Sequence, residues 1–211
     1  LVDAAMAVGH VPFSFRDLGA DLVAVSAHKF GGPPGIGALL VRRGLRIDPL
    51  LVGGDQERAR RAGLEDLPAA AGFAAACREL ADPARLDREI GAAAALTDRV
   101  RTLVHSIDGT LVFGPDDPTR RVSHLVCVGI EGVEPQGVLL ALDQRGIACH
   151  SGSSCASESL EPSPVLEAMG VDAHRSLRIS VGWSSTPADI DALEVALPDV
   201  IARLRSLGGQ E

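Results

Sequence analysis

The chain has 211 residues, of which 46% are hydrophobic, and a formal net charge of −8 at pH 7. This length is enough for one large or two small folded domains, and the acidic balance argues against direct nucleic-acid binding, which depends on Lys and Arg neutralising phosphates. No apolar stretch is long enough and free enough of charge to cross a bilayer, so no membrane role is expected.

Short apolar segments bounded by Gly and Pro alternate along the chain with longer helical patterns, which predicts an α/β fold. In chain order, the sequence predicts strands at 1–3, 22–26 and 37–41, with a short helix at 4–8 after the first of them, and then helices at 67–80 and 86–104. A strand at 122–129, a helix at 135–145, a strand at 147–150, a helix at 164–169 and a strand at 177–181 follow, and a helix that starts after Thr186 ends near 207. The Asp82-Pro83 break predicts a boundary between domains at 1–82 and 83–211.

Lys29 is the one lysine in a chain that otherwise uses arginine for every basic side chain. Arginine stays protonated, whereas a lysine amine can lose its proton and form an imine with a carbonyl compound. A site that needs such a bond cannot accept arginine, so Lys29 is a candidate catalytic residue. It follows an apolar segment and precedes a Gly/Pro loop that ends at Gly37, which predicts a position at a strand end with close backbone approach.

The four cysteines form no closely spaced pair and are expected to be free thiols of a cytoplasmic protein. Cys155 lies in a Ser/Gly-rich loop, where an accessible thiol can act as a nucleophile. Cys77 on a predicted helix and Cys127 in a predicted strand are expected to be buried and inert. Cys149 and His150 could join Cys155 as metal ligands, but three ligands at this spacing do not predict a zinc site.

Two segments resemble a known family. Ser26-Ala27-His28-Lys29, followed by the loop at 31–39, resembles the lysine segment that binds pyridoxal 5'-phosphate (PLP) in class V aminotransferases. The segments 151–170 and 177–182 resemble the active-cysteine region of cysteine desulfurases, in the branch with a long cysteine loop. The resemblance covers the whole chain but only the latter half of a family member, and the abrupt start inside a strand also indicates a C-terminal piece of something longer.

The resemblance implies a fold and a set of cofactor contacts. Residues 1–82 would be the C-terminal part of a PLP-binding large domain, a mostly parallel sheet with helices, and 83–211 a smaller α/β domain. Lys29 would bind PLP covalently and later move the substrate's α-proton. The remaining cofactor contacts would come from Asp3 on the pyridinium nitrogen, Ser26 on the phosphate, and His28 beside it.

The resemblance also implies the reaction, the conversion of L-cysteine to L-alanine with a persulfide on Cys155. Arg178 would bind the substrate carboxylate through its planar, bidentate guanidinium. His28 or the cofactor site would accept the proton of Cys155 when the loop is docked. The partners implied are a second copy of the chain and a sulfur-acceptor protein, either an iron–sulfur scaffold or a tRNA-thiolation enzyme.

Two positions depart from the family pattern. Met6 stands where the family usually has a Gln that donates to the cofactor's ring oxygen, and a thioether cannot donate a hydrogen bond. Leu64 stands where the family has a Thr that reaches the partner subunit's phosphate. These departures, and a phosphate loop expected upstream of Leu1, predict that residues 1–211 alone bind PLP poorly and are inactive.

Two alternatives remain open at this stage. One is another PLP enzyme of class V, an aminotransferase or a selenocysteine lyase, in which Cys155 is incidental or serves selenium. The other is a protein without catalytic activity that binds a sulfur acceptor, which Met6 and Leu64 favour.

Overall fold

The computed structural model describes residues 1–151 and 163–208 and divides the chain into two compact units, Leu1–Glu89 and Ile90–Glu211. The division lies inside a long helix, a few residues after the predicted boundary at 82. The assignment of the two parts to a cofactor domain and a small domain stays a prediction. No helix in the described part of the chain is both long and apolar enough to span a membrane.

The first unit contains a three-stranded sheet in the order β1-β2-β3. Its strands are β1 (Val2–Asp3), β2 (Leu22–Ser26) and β3 (Gly37–Val41), with β1 parallel to β2 and β3 antiparallel to it. Three helices belong to this unit: α1 (Phe15–Leu18), α2 (Gln56–Ala59) and α3 (Leu67–Leu80). The sheet centre is fully buried at Val23, and the turn that follows β2 is anchored by the equally buried Ala27.

A helix α4 (Pro83–His105) leads into the second unit, where four strands form an antiparallel sheet in the order β4-β5-β7-β6. The strands are β4 (Thr110–Phe113), β5 (Leu125–Ile130), β6 (His150–Ser151) and β7 (Ser176–Ser180), and the remaining helices are α5 (Pro135–Asp143), α6 (Pro164–Ala168) and α7 (Pro187–Gly208). One face of this sheet packs against helices. The core contains Val126, Val128, Leu177 and Ile179 from the strands, Val100 and Val104 from α4, Val138 and Leu142 from α5, and Leu193, Leu197 and Ile201 from α7.

The α/β fold class is confirmed, and the bounds of several elements differ from the prediction. The helix predicted at 4–8 is wrong: the backbone makes a single turn there, with Ala7 and Val8 both donating to the carbonyl of Ala4, and Gly9 at φ 85° ends it. The predicted strand at 122–129 begins at Leu125 because the carbonyl of Ser123 instead accepts a hydrogen bond from the Thr97 hydroxyl, at 2.8 Å.

Two further differences concern short elements. The strand predicted at 147–150 is His150–Ser151, because the amide of Ile147 closes the end of α5 by donating to Leu142. The prediction missed β4, an edge strand of four residues between Gly109 and Gly114.

The turn labelled α2 has an unusual backbone. Glu57, Arg58 and Ala59 have φ values of 50°, 61° and 59°, which places three successive residues that carry a Cβ in the left-handed region. For L-residues this conformation costs about 1–2 kcal/mol per residue, so the turn is locally strained.

Arg101 on α4 is a buried cation. It is 9% exposed, and its Nε and Nη1 atoms have no hydrogen-bond partner within residues 1–151 and 163–208. Burial lowers the pKa of its guanidinium, and the nearby positive charge of Arg121 lowers that pKa further. Arg121 itself pairs with Asp98 at 2.7 Å. The negative charges of Asp98 and Asp116 raise the pKa of Arg101, but they offset the effects of burial and of Arg121 only in part.

Candidate active site

The carboxyl ends of β1 and β2 bring Asp3 and Ser26 to one edge of the first sheet. The strands are parallel, with Asp3 opposite Ala24 in the register, so Ser26 lies two residues further along the same edge. In sheets of this kind, ligands bind beyond the carboxyl ends of the parallel strands. The polar residues at these two strand ends therefore mark the edge at which a ligand site is expected.

Lys29 lies in a single 3-10 turn, Ala27–Phe30, that follows β2 directly. Ala27 points inward and is buried, whereas His28 and Lys29 are exposed. The amine of Lys29 has no hydrogen bond or ion pair to any residue that the structure describes. The turn thus presents a primary amine to solvent at the same edge as Asp3 and Ser26.

Packing from two other segments holds this turn in place. His10 places its Nε2 atom 3.0 Å from the carbonyl oxygen of Lys29. The ring of Phe30 packs against Phe73 of α3 with 5.7 Å between ring centroids. Gly9, next to His10, packs so closely against Phe30 that a Cβ added to this glycine would lie 2.5 Å from the Cβ of Phe30. The backbone beneath the Lys29 amine is therefore fixed by contacts on both sides.

The Gly-rich loop after the turn folds back onto β2. Gly31 adopts a left-handed conformation with φ 88°, and the amide of Gly32 donates to the carbonyl of Ala27 at 2.9 Å. A Cβ on Gly32 would lie 2.8 Å from the Cβ of Ala27, and one on Gly37 would lie 2.5 Å from the carbonyl oxygen of Val25. The close backbone approach predicted from the sequence is present at both glycines.

Two polar contacts orient the side chains at this edge. The hydroxyl of Ser26 lies 2.9 Å from Nδ1 of His28. The Asp3 carboxylate accepts a hydrogen bond from the amide of Ala5 at 2.9 Å, which fixes one carboxylate oxygen and leaves the other accessible on an exposed side chain. Amine, carboxylate, hydroxyl and imidazole are thus all available along one strand edge.

Arg178 lies in the second unit, in the middle of β7. It is directly opposite Cys127 of β5 and His150 of β6, so the three residues form one row across the sheet. Residues opposite each other in antiparallel strands project from the same face. Leu177 and Ile179 on either side of Arg178 are in the core, so the row lies on the sheet face that points away from that core.

The cysteines have different environments. Cys155 lies outside the described residues. Burial raises the pKa of the Cys149 thiol to about 11 and also raises that of Cys127, which keeps both protonated at neutral pH. The expectation that Cys77 is buried is wrong: it is exposed, because α3 buries none of its side chains.

The segment 57–66, which contains Arg58, Arg60 and Arg61, borders an open cleft of about 790 Å³ beside β3. Arg58 and Arg61 line it together with Leu64 and Glu65. Leu64 is 92% exposed, so the apolar side chain that departs from the family pattern is presented to solvent. Met6, the second departure, is 46% exposed.

The structure brings four of the predicted residues, Asp3, Ser26, His28 and Lys29, to one edge of the first unit, and it places Arg178 in the second. Two features were not predicted from the sequence: His10, which supports the Lys29 turn, and the neighbours of Arg178 in the row. No local pattern could have identified these neighbours, since they depend on the register of strands far apart in the chain. The alternation of Leu177, Arg178 and Ile179 in β7 is a sequence signal that places Arg178 on the sheet face away from the core.

Comparisons with known proteins agree on one family. The family model described as aminotransferase class-V matches residues 1–193. The chain is 42% identical over 208 residues to the cysteine desulfurase IscS of Methanosarcina thermophila, covering 97% of this chain and 50% of that protein. It is also 42% identical over 209 residues to an IscS-like cysteine desulfurase of Mycobacterium tuberculosis, covering 96% of this chain and 52% of that protein.

Solved structures give the same result. A NifS-like protein superimposes with a TM-score of 0.84 at 27% identity, covering 96% of this chain and 52% of that one. The cysteine desulfurase CsdA of Escherichia coli superimposes with a TM-score of 0.81 at 26% identity, covering 97% and 52%. The chain thus spans about half the length of the relatives it matches.

Proposed function

The chain belongs to the aminotransferase class-V family, and from this premise we propose that the protein is a PLP-dependent cysteine desulfurase that converts L-cysteine to L-alanine and leaves the sulfur on Cys155. The observation that carries the proposal is the exposed amine of Lys29 in the turn after β2, at the strand edge that also presents Asp3. The two cysteine desulfurase relatives at 42% identity support the choice of reaction within the family.

The donor set at this edge fits PLP. A primary amine can bind the aldehyde of the cofactor, a carboxylate can pair with its pyridinium nitrogen, and a hydroxyl can donate to its phosphate. Lys29, Asp3 and Ser26 would take these three roles, with His28 orienting the Ser26 hydroxyl across 2.9 Å. When bound, PLP withdraws electrons from the substrate's α-carbon and so labilises the α-proton and the C–S bond.

Each residue of the proposed site has a definite task. Lys29 would hold the cofactor and move the substrate's α-proton. Asp3, whose carboxylate is held by the Ala5 amide, would pair with the ring nitrogen. Arg178 binds the substrate carboxylate. The Cys155 thiolate would attack the substrate sulfur and form a persulfide, while the carbon–sulfur bond would break with its electron pair going to the β-carbon. Protonation of the β-carbon and return of a proton to the α-carbon would then yield alanine.

The proposal includes the partners and the location of the protein. The first unit exposes large apolar side chains, with Leu50 95%, Val52 77% and Leu64 92% exposed, which supports a homodimer in which a second copy covers them. The persulfide would pass to a sulfur-acceptor protein. The three described cysteines are free thiols, which supports a cytoplasmic location.

The test is made on the protein purified at its full length with PLP added, because residues 1–211 alone are expected to bind PLP poorly. The expected result for the full-length protein is a visible absorption band and the release of alanine and sulfide from L-cysteine. Lys29→Arg should lose the band and keep the fold, because arginine retains the charge and cannot bond to the aldehyde. A borohydride-trapped PLP adduct at position 29 in this variant would contradict the assignment.

A second pair of variants tests the nucleophile. Cys155→Ser should keep the visible band and lose sulfide release, whereas Cys77→Ser, at an exposed site on α3, should keep both. Alanine production that survives in Cys155→Ser would favour another class V enzyme or a selenocysteine lyase. The absence of any band in the wild-type protein would favour a sulfur-acceptor-binding protein without catalytic activity.

A further inference from the structure

His150 and Arg178 are adjacent on the face of the second sheet that points away from the core. They stand directly opposite each other in the β6–β7 pairing. The Cβ atoms of such a pair are about 4.5–5.5 Å apart, close enough for both side chains to contact one small ligand. Both residues are half-buried, so each is partly shielded from water.

The described contacts of His150 leave one ring nitrogen for a ligand. Its Nδ1 atom lies 3.3 Å from the carbonyl oxygen and 3.4 Å from the hydroxyl of Ser151. Its Nε2 atom has no hydrogen bond to any residue of the described ranges. A histidine whose Nε2 carries a proton can donate to a carboxylate oxygen, either as the neutral ring or as the imidazolium.

The third residue of the row does not compete for the same ligand. Cys127 is opposite Arg178 on the other side, and burial raises the pKa of its thiol, so it stays neutral and does not neutralise the guanidinium. The row therefore has a cation at its centre and a hydrogen-bond donor on one flank. A planar anion with two oxygens matches this arrangement.

We propose that His150 is a second substrate-binding residue beside Arg178, which donates from Nε2 to the carboxylate of the amino-acid substrate while Arg178 binds the same group. The proposal rests on the proposed function for the identity of the substrate, and on the β6–β7 register for the geometry. Two donors from neighbouring strands fix the direction of the carboxylate as well as its position. His150 thereby selects for amino acids over amines that lack the carboxylate.

The kinetic test compares L-cysteine with cysteamine, which lacks the carboxylate. His150→Phe should raise KM for L-cysteine about 10- to 150-fold, the range expected for one lost hydrogen bond to a charged group, with kcat within about twofold. Inhibition by cysteamine should be unchanged. His150→Gln, which keeps an N–H donor, should recover most of the loss, and His174→Gln serves as the control at an exposed histidine outside the row.

A parallel weakening of L-cysteine and cysteamine in His150→Phe would overturn the proposal, because the effect would not depend on the carboxylate. An unchanged KM for L-cysteine would overturn it as well. If the wild-type protein released no alanine at all, the proposed function would fail. The carboxylate-binding role of His150 would then be tested by a binding measurement that needs no turnover.

That measurement follows the histidine ring resonances of the purified protein by NMR during titration with acetate. The His150 resonance is assigned by its loss in His150→Gln. It should shift saturably in the wild-type protein and should not shift in Arg178→Leu, while the His174 resonance stays constant in both. A His150 resonance that does not respond to acetate in the wild-type protein, or that responds equally without Arg178, would refute the shared carboxylate site.

Discussion

Replacing Gly37 by Ala is expected to separate β2 from β3 next to the Lys29 turn. An added Cβ would lie 2.5 Å from the carbonyl oxygen of Val25, and real Cβ atoms essentially never come closer than 3.0 Å, so the backbone must move by at least 0.5 Å. The obstructing atom belongs to the backbone, so no change of rotamer relieves the contact. Overpacking of this kind costs about 1–3 kcal/mol of folding free energy.

The assay combines urea unfolding with PLP titration. Gly37→Ala should lower the free energy of unfolding by the amount given above and weaken PLP binding, because Ser26 lies opposite Gly37 in the register and moves with it. The control is Gly91→Ala in α4, where an added Cβ meets no atom within 4 Å. This control should gain about 0.5–1 kcal/mol, since alanine is the better helix former.

A Gly37→Ala protein whose unfolding free energy and PLP affinity both match the wild type would refute the predicted clash between the added Cβ and the Val25 carbonyl. A loss of stability with unchanged PLP affinity would contradict a narrower point, the assignment of the cofactor to the edge formed by β1 and β2. A destabilised Gly91→Ala protein would show that substitutions of glycine by alanine lower stability here for reasons other than the contact with Val25.

Three further outcomes follow from buried or hydrogen-bonded charges. Arg101→Met should raise the free energy of unfolding in urea by about 1–2 kcal/mol, because it removes a buried cation with two nitrogens that no described residue pairs, and an unfolding free energy below the wild-type value would contradict this. Iodoacetamide at pH 8 should alkylate exposed Cys77 faster than Cys149, whose pKa is about 11, as read by peptide mass spectrometry; equal rates would count against the burial of Cys149. Hydrogen bonds from the Thr186 amide and hydroxyl lower the pKa of Asp189. Its contribution to the free energy of unfolding is therefore present above about pH 4 and is lost as the pH falls further. Asp189→Asn should therefore reduce the loss of stability on acidification, measured by thermal unfolding from pH 6 to 2, and an unchanged pH profile would contradict the assignment.

The elements that carry their own local signals could be predicted from the sequence. Helix α3 has the predicted bounds, and the β2–turn–β3 segment around Lys29 was identified from its apolar run and its glycines. The unique lysine also identified the candidate site, because the chemistry of an amine differs from that of a guanidinium. These features depend on residues that are neighbours in the sequence.

Features that depend on distant contacts could not be predicted in the same way. His10 meets the Lys29 carbonyl across 19 residues of sequence, and His150 meets Arg178 through strand register alone. The exposure of Cys77 also required the packing of α3, which the helix pattern does not specify. The segment at 4–8, predicted as a helix, forms only one turn before Gly9 adopts a positive φ.

The left-handed turn at Glu57–Ala59 inverts the usual rule for designing variants of a helix. Glycine weakens an ordinary helix, but at this turn it would relieve the backbone, because it has no Cβ to disfavour positive φ. Arg58→Ala removes the charged side chain and keeps the Cβ, whereas Arg58→Gly removes the Cβ as well, so the difference in stability between the two variants isolates the gain from the backbone. In a library selected for stability alone, glycine should be enriched at these three positions, and selection for activity should reverse that enrichment wherever the side chain itself is needed.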